Sequence, residues 1–375
     1  MTESRSIHSR LRAKLRQVGL DNLAGFLAIL AMCVGLISTV LQKWVPVSDM
    51  ALIEMHVRDV PLHLPLVGAY SRFGWSHPGP AQYLLLSVPY RLMAGASWSL
   101  PAATLIMNIA AVVGAWRVAR SIDESAGRVV LLGAMALVAF GDPASLRSWW
   151  NPSVGLIVTF TLVIVAWGTS ERRAWPTFAL LPLATLLIQS HVGYAAVTIP
   201  VVASGLVLMV SRRSDREPDR ETSWWHACGG AALAALMWLP PLIDQIRNEP
   251  GNLSALLHSG TGEGKRAGIG FALRLLSENL GLPPAWAGRD VAQVTARLTP
   301  SWVAPVLILI PIGALFMAVR DRSRPGLRAL TVAGAATGGA IVGATFVHGD
   351  IYWYLLPWFA PVIAALVAMS SWVLI

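Results

Sequence analysis

Residues 80–95 read "PAQYLLLSVPYRLMAG", and the way this stretch is taken decides the side on which every later segment lies. It is apolar but carries Arg91, and it is shorter than the roughly 20 residues needed to cross the hydrocarbon. Taken as a crossing it inverts everything after it; taken as a helix lying in the interface it does not. The arginines arbitrate. With 80–95 lying flat, the basic N-terminal tail (Arg5, Arg10, Arg12, Lys14, Arg16) shares a side with Arg117, Arg120, Arg128, Arg172, Arg173, Arg212, Arg213, Arg216, Arg220, Arg320, Arg322, Arg324 and Arg328. An excess of Lys and Arg marks the cytoplasmic side. The stretch therefore reads as interfacial and the N-terminus as cytoplasmic.

Outward from it the chain is a series of apolar runs. Of 375 residues, 55% are hydrophobic and 13% charged, with a mean hydropathy of +0.58, whereas soluble domains are about a quarter charged. The runs predict crossings at 23–43, 99–118, 128–141, 153–170, 174–190, 192–210, 224–240, 302–319, 328–347 and 351–371. The expectation is an all-α polytopic membrane protein of about ten crossings, one domain over 1–375 with a cytoplasmic basic tail at 1–22. A second mixed segment, 269–282 in the fourth outer loop, also reads as interfacial. The first run is too long for a signal-peptide h-region and no small-residue cleavage site follows, so it reads as an uncleaved anchor in the plasma (inner) membrane. The net charge of +9 sits in short turns between apolar runs, a topology signal that excludes a nucleic-acid surface. Cys33 and Cys228 fall inside predicted helices and read as packed side chains.

The long connections 44–98 and 241–301 fall on the outer side. Six of the eight histidines (His56, His63, His77, His191, His258, His348) join them there, with Asp49, Glu54, Asp59, Asp142, Asp244, Glu249 and Asp350. Long loops in compact proteins carry function. The densest stretch, "DMALIEMHVRDVPLHLPLVGAYSRFGWSHPGP" at 49–80, holds three acids, three histidines and two arginines. No Walker loop, HExxH, GxSxG or CxxC occurs, which withdraws support from nucleotide hydrolysis, zinc peptidase, serine hydrolase and dithiol chemistry. "GTGEGKRAG" (260–268) lacks the Walker spacing and reads as a mobile glycine loop over the site.

An acid just after the first helix, "HPGP" (His77, Pro78, Gly79, Pro80) leading into an interfacial helix, and a large outer loop after the seventh helix together resemble the GT-C glycosyltransferases. These are integral-membrane enzymes using polyprenyl-phosphate sugars, such as protein O-mannosyltransferases and the aminoarabinose transferase of lipid A. The resemblance implies a GT-C-like fold and an inverting hexosyl- or pentosyltransferase. Its donor would be a polyprenyl-phosphate sugar in the membrane lipid, and its acceptor a hydroxyl of an envelope glycan, lipid or protein. Asp49 stands where such enzymes keep the acid of the first outer loop, and "HPGP" is similar to their His/Lys-Pro-Pro element. The family's frequent acidic pair is here spaced out as Asp49 and Glu54.

The chemistry needs a carboxylate to take the proton of the acceptor hydroxyl and cations to face the departing phosphate. Asp49 is the expected base with Glu54 as a positioning or metal-binding partner, though either can be the base on the sequence alone. Arg72, His77, Lys265 and Arg266 are expected at the donor phosphate, Arg72 first, because guanidinium pairs with phosphate in fixed geometry; Arg58, Arg91 and Arg289 are further cations. Asp142, Trp149, Asn151, His191 and Tyr352 are expected at the acceptor or the sugar. Asp49, Glu54 and Asp142 offer oxygen ligands to a divalent metal, Mg or Mn, at no spacing that decides for one.

Each residue also has a plainer reading. Trp and Tyr at helix ends form an ordinary aromatic belt, Arg91 snorkels, His191 sits in a tight turn, Arg147 is a loop charge, and Glu54 with Arg58 forms a helical i, i+4 pair. The rival function is a transporter or flippase of a lipid-linked or polar solute. The lack of a clear internal repeat and the few charges within predicted helices favour the enzyme.

Overall fold

The computed structural model describes residues 34–60, 62–140, 143–211, 217–259, 266–287 and 297–375. Among these the regular elements are helices, with no strand. In chain order they are α1 (residues 34–41), α2 (Ser48–Asp59), α3 (Ala81–Leu92), α4 (Ser99–Ile122), α5 (Glu124–Phe140), α6 (Asn151–Ser170) and α7 (Ala174–Ser190). Then follow α8 (Ala195–Ser211), α9 (Glu217–Arg247), α10 (Asn252–Ser259), α11 (Gly268–Asn279), α12 (Leu309–Arg320), α13 (Arg324–Phe346) and α14 (Phe359–Leu374).

Five described helices are long and apolar enough to cross a membrane: Ser99–Ile122, Asn151–Ser170, Val192–Ser211, Ser223–Arg247 and Arg324–Phe346. Ala174–Ser190, Val306–Arg320 and Phe359–Leu374 are apolar but shorter. Of the other expected runs, one is the 17-residue α5, and of the first only 34–41 is described as helix.

α6 is the axis of the bundle. Its apolar residues, many β-branched, leave no polar face, and it is buried nearly all round against α4, α7, α8, α13 and α14. Between helices in lipid no hydrophobic gain is available, so close approach of backbones matters more. α13 supplies it with a row of fully buried small residues, Ala329, Ala333, Ala336, Ala340 and Ala344. At Gly339 the backbone meets the Ala196 carbonyl of α8 so closely that any Cβ would collide with it.

The outward faces are apolar. α9 exposes Leu233, Leu236, Leu239, Leu242, Ile243 and Ile246, and α12 exposes Leu309, Ile312, Leu315, Phe316 and Val319. Cys228 is exposed on α9 rather than packed as expected. On a helix face surrounded by lipid, a small apolar thiol needs no protein neighbour.

α3 and α11 have 12 residues each, which rise about 18 Å and fall short of the roughly 30 Å of hydrocarbon. Both are apolar on two sides. α3 buries Tyr83, Leu86 and Tyr90 with Ile53 and Val57 of α2, Leu100 of α4 and Trp149, and exposes Leu85, Val88 and Leu92. α11 buries Phe271, Ala272 and Leu275 and exposes Ile269 and Leu273.

The connections gather at two ends. At one, Arg328 donates to both carboxylate oxygens of Glu171 at 3.0 Å, Arg172 Nε donates to the Met209 carbonyl and Trp372 Nε1 donates to Asp123. At the other, Asn252 pairs with the backbone of Ser76, Ala267 N–H donates to the Val347 carbonyl, and Arg297 meets Asp350 at 2.7 Å. The last expected helix begins later than its apolar run: 351–358 is a loop with a 3-10 turn at Trp353–Leu355, and α14 starts at Phe359. Pro357 drives Leu356 out of the helical region, to φ −128°. That displacement carries Trp353 and Tyr354 into the wall of a cavity.

Candidate functional site

A cavity of about 1230 Å³ opens among the loops of this second end. Loops and helix ends line it with polar and aromatic groups, Asp49, Arg72, His77, Arg147, Trp150, Asn151, His191, His348 and Tyr354. Helices line it with Leu137 of α5, Leu156 of α6, Ala196 of α8, Val342, Gly343 and Phe346 of α13, and Ala360 of α14. Val342 and Phe346 are each 55% exposed while lining the cavity. Both belong to α13, a helix long enough to cross a membrane.

The loop before α3 is shaped by a small hairpin. Gly68 N–H donates to the His77 carbonyl and His77 N–H to Ala69, both at 2.8 Å, while Ser71 N–H donates to Trp75. Gly74, at φ +84°, supplies the left-handed residue that closes the turn. Arg72 at the tip donates to the Asp350 carbonyl and stacks over Phe73 and Tyr352. "HPGP" ends the hairpin: Gly79 has no Cβ because Gln189 occupies that space. Gln189 Oε1 accepts from Ala81 N–H at the start of α3 and its Nε2 donates to the Met237 carbonyl.

His77 and His191 meet at the cavity wall with ring centroids 4.5 Å apart, exposed to 5% and 6%. Val192 N–H donates to Nδ1 of His77 at 3.2 Å, and Nδ1 of His191 is buried without a partner among the described residues. Burial, and after it the neighbouring His191, hold His77 well below its usual range. Burial pushes His191 down to about 4.

Asp49 stands in the first turn of α2, exposed, where the helix dipole favours its charge. Its Oδ2 accepts from Trp150 Nε1 at 2.9 Å. Ser48 before it lies at φ +53°, a strained conformation for a residue with a Cβ. Asn151 lines the cavity and donates to the Ser190 carbonyl.

The other expected site residues lie elsewhere. Glu54 is 5% exposed and faces α3, not the cavity. Its Oε1 accepts from Tyr90 and Ser97 at 3.1 and 2.8 Å and lies 3.7 Å from Arg58. Trp149 is buried between α2 and α3, donating to the Met50 carbonyl and accepting from Gln82. Arg266 stacks over Phe346 and does not reach the cavity wall. Tyr352 stands behind the wall, stacked on Tyr354. Asp142, Lys265 and Arg289 lie outside the described residues, as do positions 260–265 of the glycine loop. Among the described residues no three His, Cys, Asp or Glu side chains converge where a metal would sit. With Asp49 at the cavity and Glu54 turned away, these residues do not fit a divalent-metal site.

Sequence reasoning placed Trp150 and Tyr354 among the aromatics at outer helix ends, whose flat faces suit a sugar, and His348 among the outer histidines, and weighed Arg147 as a loop charge; all four line the cavity. Arg147 stacks over Trp44 and has a distant contact to Thr39, with no carboxylate partner among the described residues. The signal was present for Arg147 and Trp150, which flank the start of α6 in "RSWWNPS". Comparison of the chain with protein-family models, with curated proteins and with solved structures returns no match.

Proposed function

We propose that the chain is an integral-membrane glycosyltransferase of the GT-C type, moving a sugar from a polyprenyl-phosphate donor to an acceptor hydroxyl on the outer face of the plasma membrane. In this reading it has ten crossings and a cytoplasmic N-terminus. The observation that carries the reading is the mixed lining of the cavity, with charged and aromatic groups from loops and helix ends and aliphatic groups from the helices. A polyprenyl-phosphate sugar has the same division: the isoprenoid tail suits Leu137, Val342 and Phe346, and the head suits the loops.

Asp49 takes the acceptor hydroxyl proton as that oxygen bonds to the anomeric carbon. The bond from that carbon to the phosphate oxygen breaks on the opposite face, inverting the configuration and leaving the electron pair on the phosphate. Among the described residues Arg72 and Arg147 are the guanidinium groups of the cavity wall, and they offer cations to the growing charge. Burial raises the Tyr354 phenol above its usual range, which keeps its O–H as a donor.

Transfer by purified protein in nanodiscs from a panel of polyprenyl-phosphate hexoses and pentoses tests this reading. Asp49→Asn should lower turnover by roughly 10² or more with the melting temperature unchanged. Glu54→Ala should keep turnover and lower the melting temperature, because the buried Tyr90 hydroxyl and the half-buried Ser97 hydroxyl lose their acceptor, at about 1–3 kcal/mol. Wild-type turnover in Asp49→Asn removes the base, and no transfer from any lipid-linked sugar removes the enzyme.

A further inference from the structure

His77 and His191 are the polar part of the cavity wall that the transfer step leaves without a role. They come from different elements, His77 from the hairpin before α3 and His191 from the end of α7. Trp75 closes edge-on against His77 and Tyr194 against His191. The tautomer of His77 is set by geometry. Nδ1 accepts from Val192 N–H, so in the neutral ring the proton sits on Nε2, and that N–H has no acceptor among the described residues. A second ring nitrogen, Nδ1 of His191, is buried with no partner. Unpaired buried polar groups are costly and uncommon in folded proteins. One such nitrogen on His191, and on the touching ring an N–H of His77 that keeps accessible surface at the cavity wall without an acceptor, mark where the polar atoms of a ligand belong.

The charge of the pair selects the ligand. Rings 4.5 Å apart and almost fully buried resist protonation, and the titratable group acting on His77 is the other ring. A neutral imidazole offers one directed donor and no net attraction for an anion. That argues against the donor phosphate as the partner of His77 and leaves the phosphate to the guanidinium groups. Trp75 and Trp358 line the cavity beside the pair, and flat aromatic surfaces beside directed donors suit a sugar ring, apolar on its C–H face and polar at its edge.

We infer that His77 and His191 form an uncharged hydroxyl-binding subsite, in which Nε2–H of His77 donates to a hydroxyl oxygen of the transferred sugar. The inference rests on the glycosyl-transfer reading. His77 is on this account a positioning residue that discriminates among sugars rather than a group that moves a proton.

The test measures binding of farnesyl phosphate, and of farnesyl-phosphoryl hexoses and pentoses, to nanodisc-embedded wild type, His77→Gln and His77→Phe, with melting temperature as the folding control. For the sugar lipid that wild type binds best, His77→Phe should weaken binding by about 5- to 10-fold, the worth of one neutral hydrogen bond. Farnesyl phosphate should bind all three proteins alike. His77→Gln, whose amide N–H reaches where Nε2–H lay, should retain most of the affinity. A second arm does not depend on the Phe variant folding: removing the hydroxyls of the sugar one at a time should cost wild type affinity at one position, and His77→Gln, which keeps the donor, should lose affinity at that same position. An equal loss for bare farnesyl phosphate makes His77 a phosphate ligand and overturns the subsite, as does a deoxy series with no such position. Wild type that binds none of these lipids overturns the glycosyl-transfer reading and this inference with it, whereas lipid binding insensitive to His77 overturns the subsite alone.

Discussion

At His77 and His191 the candidate site is sensitive to protons. Burial places its folded pKa at about 4 against roughly 6.5 in an unfolded chain, and His77 is depressed in the same direction. The unfolded chain therefore takes up protons that the folded protein refuses as pH falls below 6.5, and stability drops until the folded rings also protonate, near pH 4 for His191. Above 6.5 both states are neutral and these rings add no pH dependence. The slope is about 1.4 kcal/mol per pH unit for each ring. Melting temperature in nanodiscs should accordingly fall more steeply from pH 7.5 to 5 in wild type than in a His77→Gln, His191→Gln double variant, and parallel curves would show that the rings titrate normally. Residue identity alone hid the arrangement at 49–54. Asp49 and Glu54 look like a spaced acidic pair, but five residues along a helix turn the side chain by about 140°. α2 therefore points Asp49 to the cavity and Glu54 to Tyr90 and Ser97.

At the scale of elements, the strongly apolar runs were legible because a lipid-facing helix has no polar stripe to disguise it. The ends of the helices were less legible. Pro305 and Pro357 delay α12 and α14 beyond the start of their apolar runs, since a proline constrains the residue before it as well as itself. α3 carries the sequence argument from which the sidedness follows, and its depth is open to direct measurement. Leu85, Val88 and Leu92 lie on its exposed face, with seven residues, or about 10 Å of helix, between the first and the last. Leu309, Ile312 and Phe316 span the same length on α12. With Cys33 and Cys228 replaced by Ala, single cysteines carrying spin labels at the three α3 positions should report nearly the same shallow depth from the ratio of oxygen to water-soluble nickel relaxation. Labels along α12 should differ in depth by most of that 10 Å. A depth gradient along α3 equal to that along α12 makes α3 a crossing and reverses the side assigned to every later loop.

For the whole molecule, the sequence placed the polar residues on the loops of one side, but the cavity they share was not legible. Its wall draws on seven regions far apart in the chain, and Trp150, Arg147, His348 and Tyr354 become neighbours of Asp49 and Arg72 only through packing. The aliphatic part was hidden for a different reason: Val342 and Phe346 look like any other residues of an apolar helix, and only the fold shows that they line the cavity while staying half-exposed. That placement makes the last prediction. If a lipid tail leaves the cavity past α13, a bulky ring at position 342 should obstruct it. Val342 is half-exposed, so Val342→Trp gives up no buried packing and should leave the melting temperature unchanged. Displacing two methylenes of an isoprenoid from the wall costs about 1.6 kcal/mol, roughly tenfold in affinity. Long-chain polyprenyl phosphate should thus bind Val342→Trp about tenfold more weakly than wild type, while the five-carbon prenyl phosphate, whose chain ends within the cavity, should bind both equally. Equal weakening for both chain lengths would place the effect at the head group. No weakening for either would mean that the tail leaves by another face and that α13 does not border the entry path.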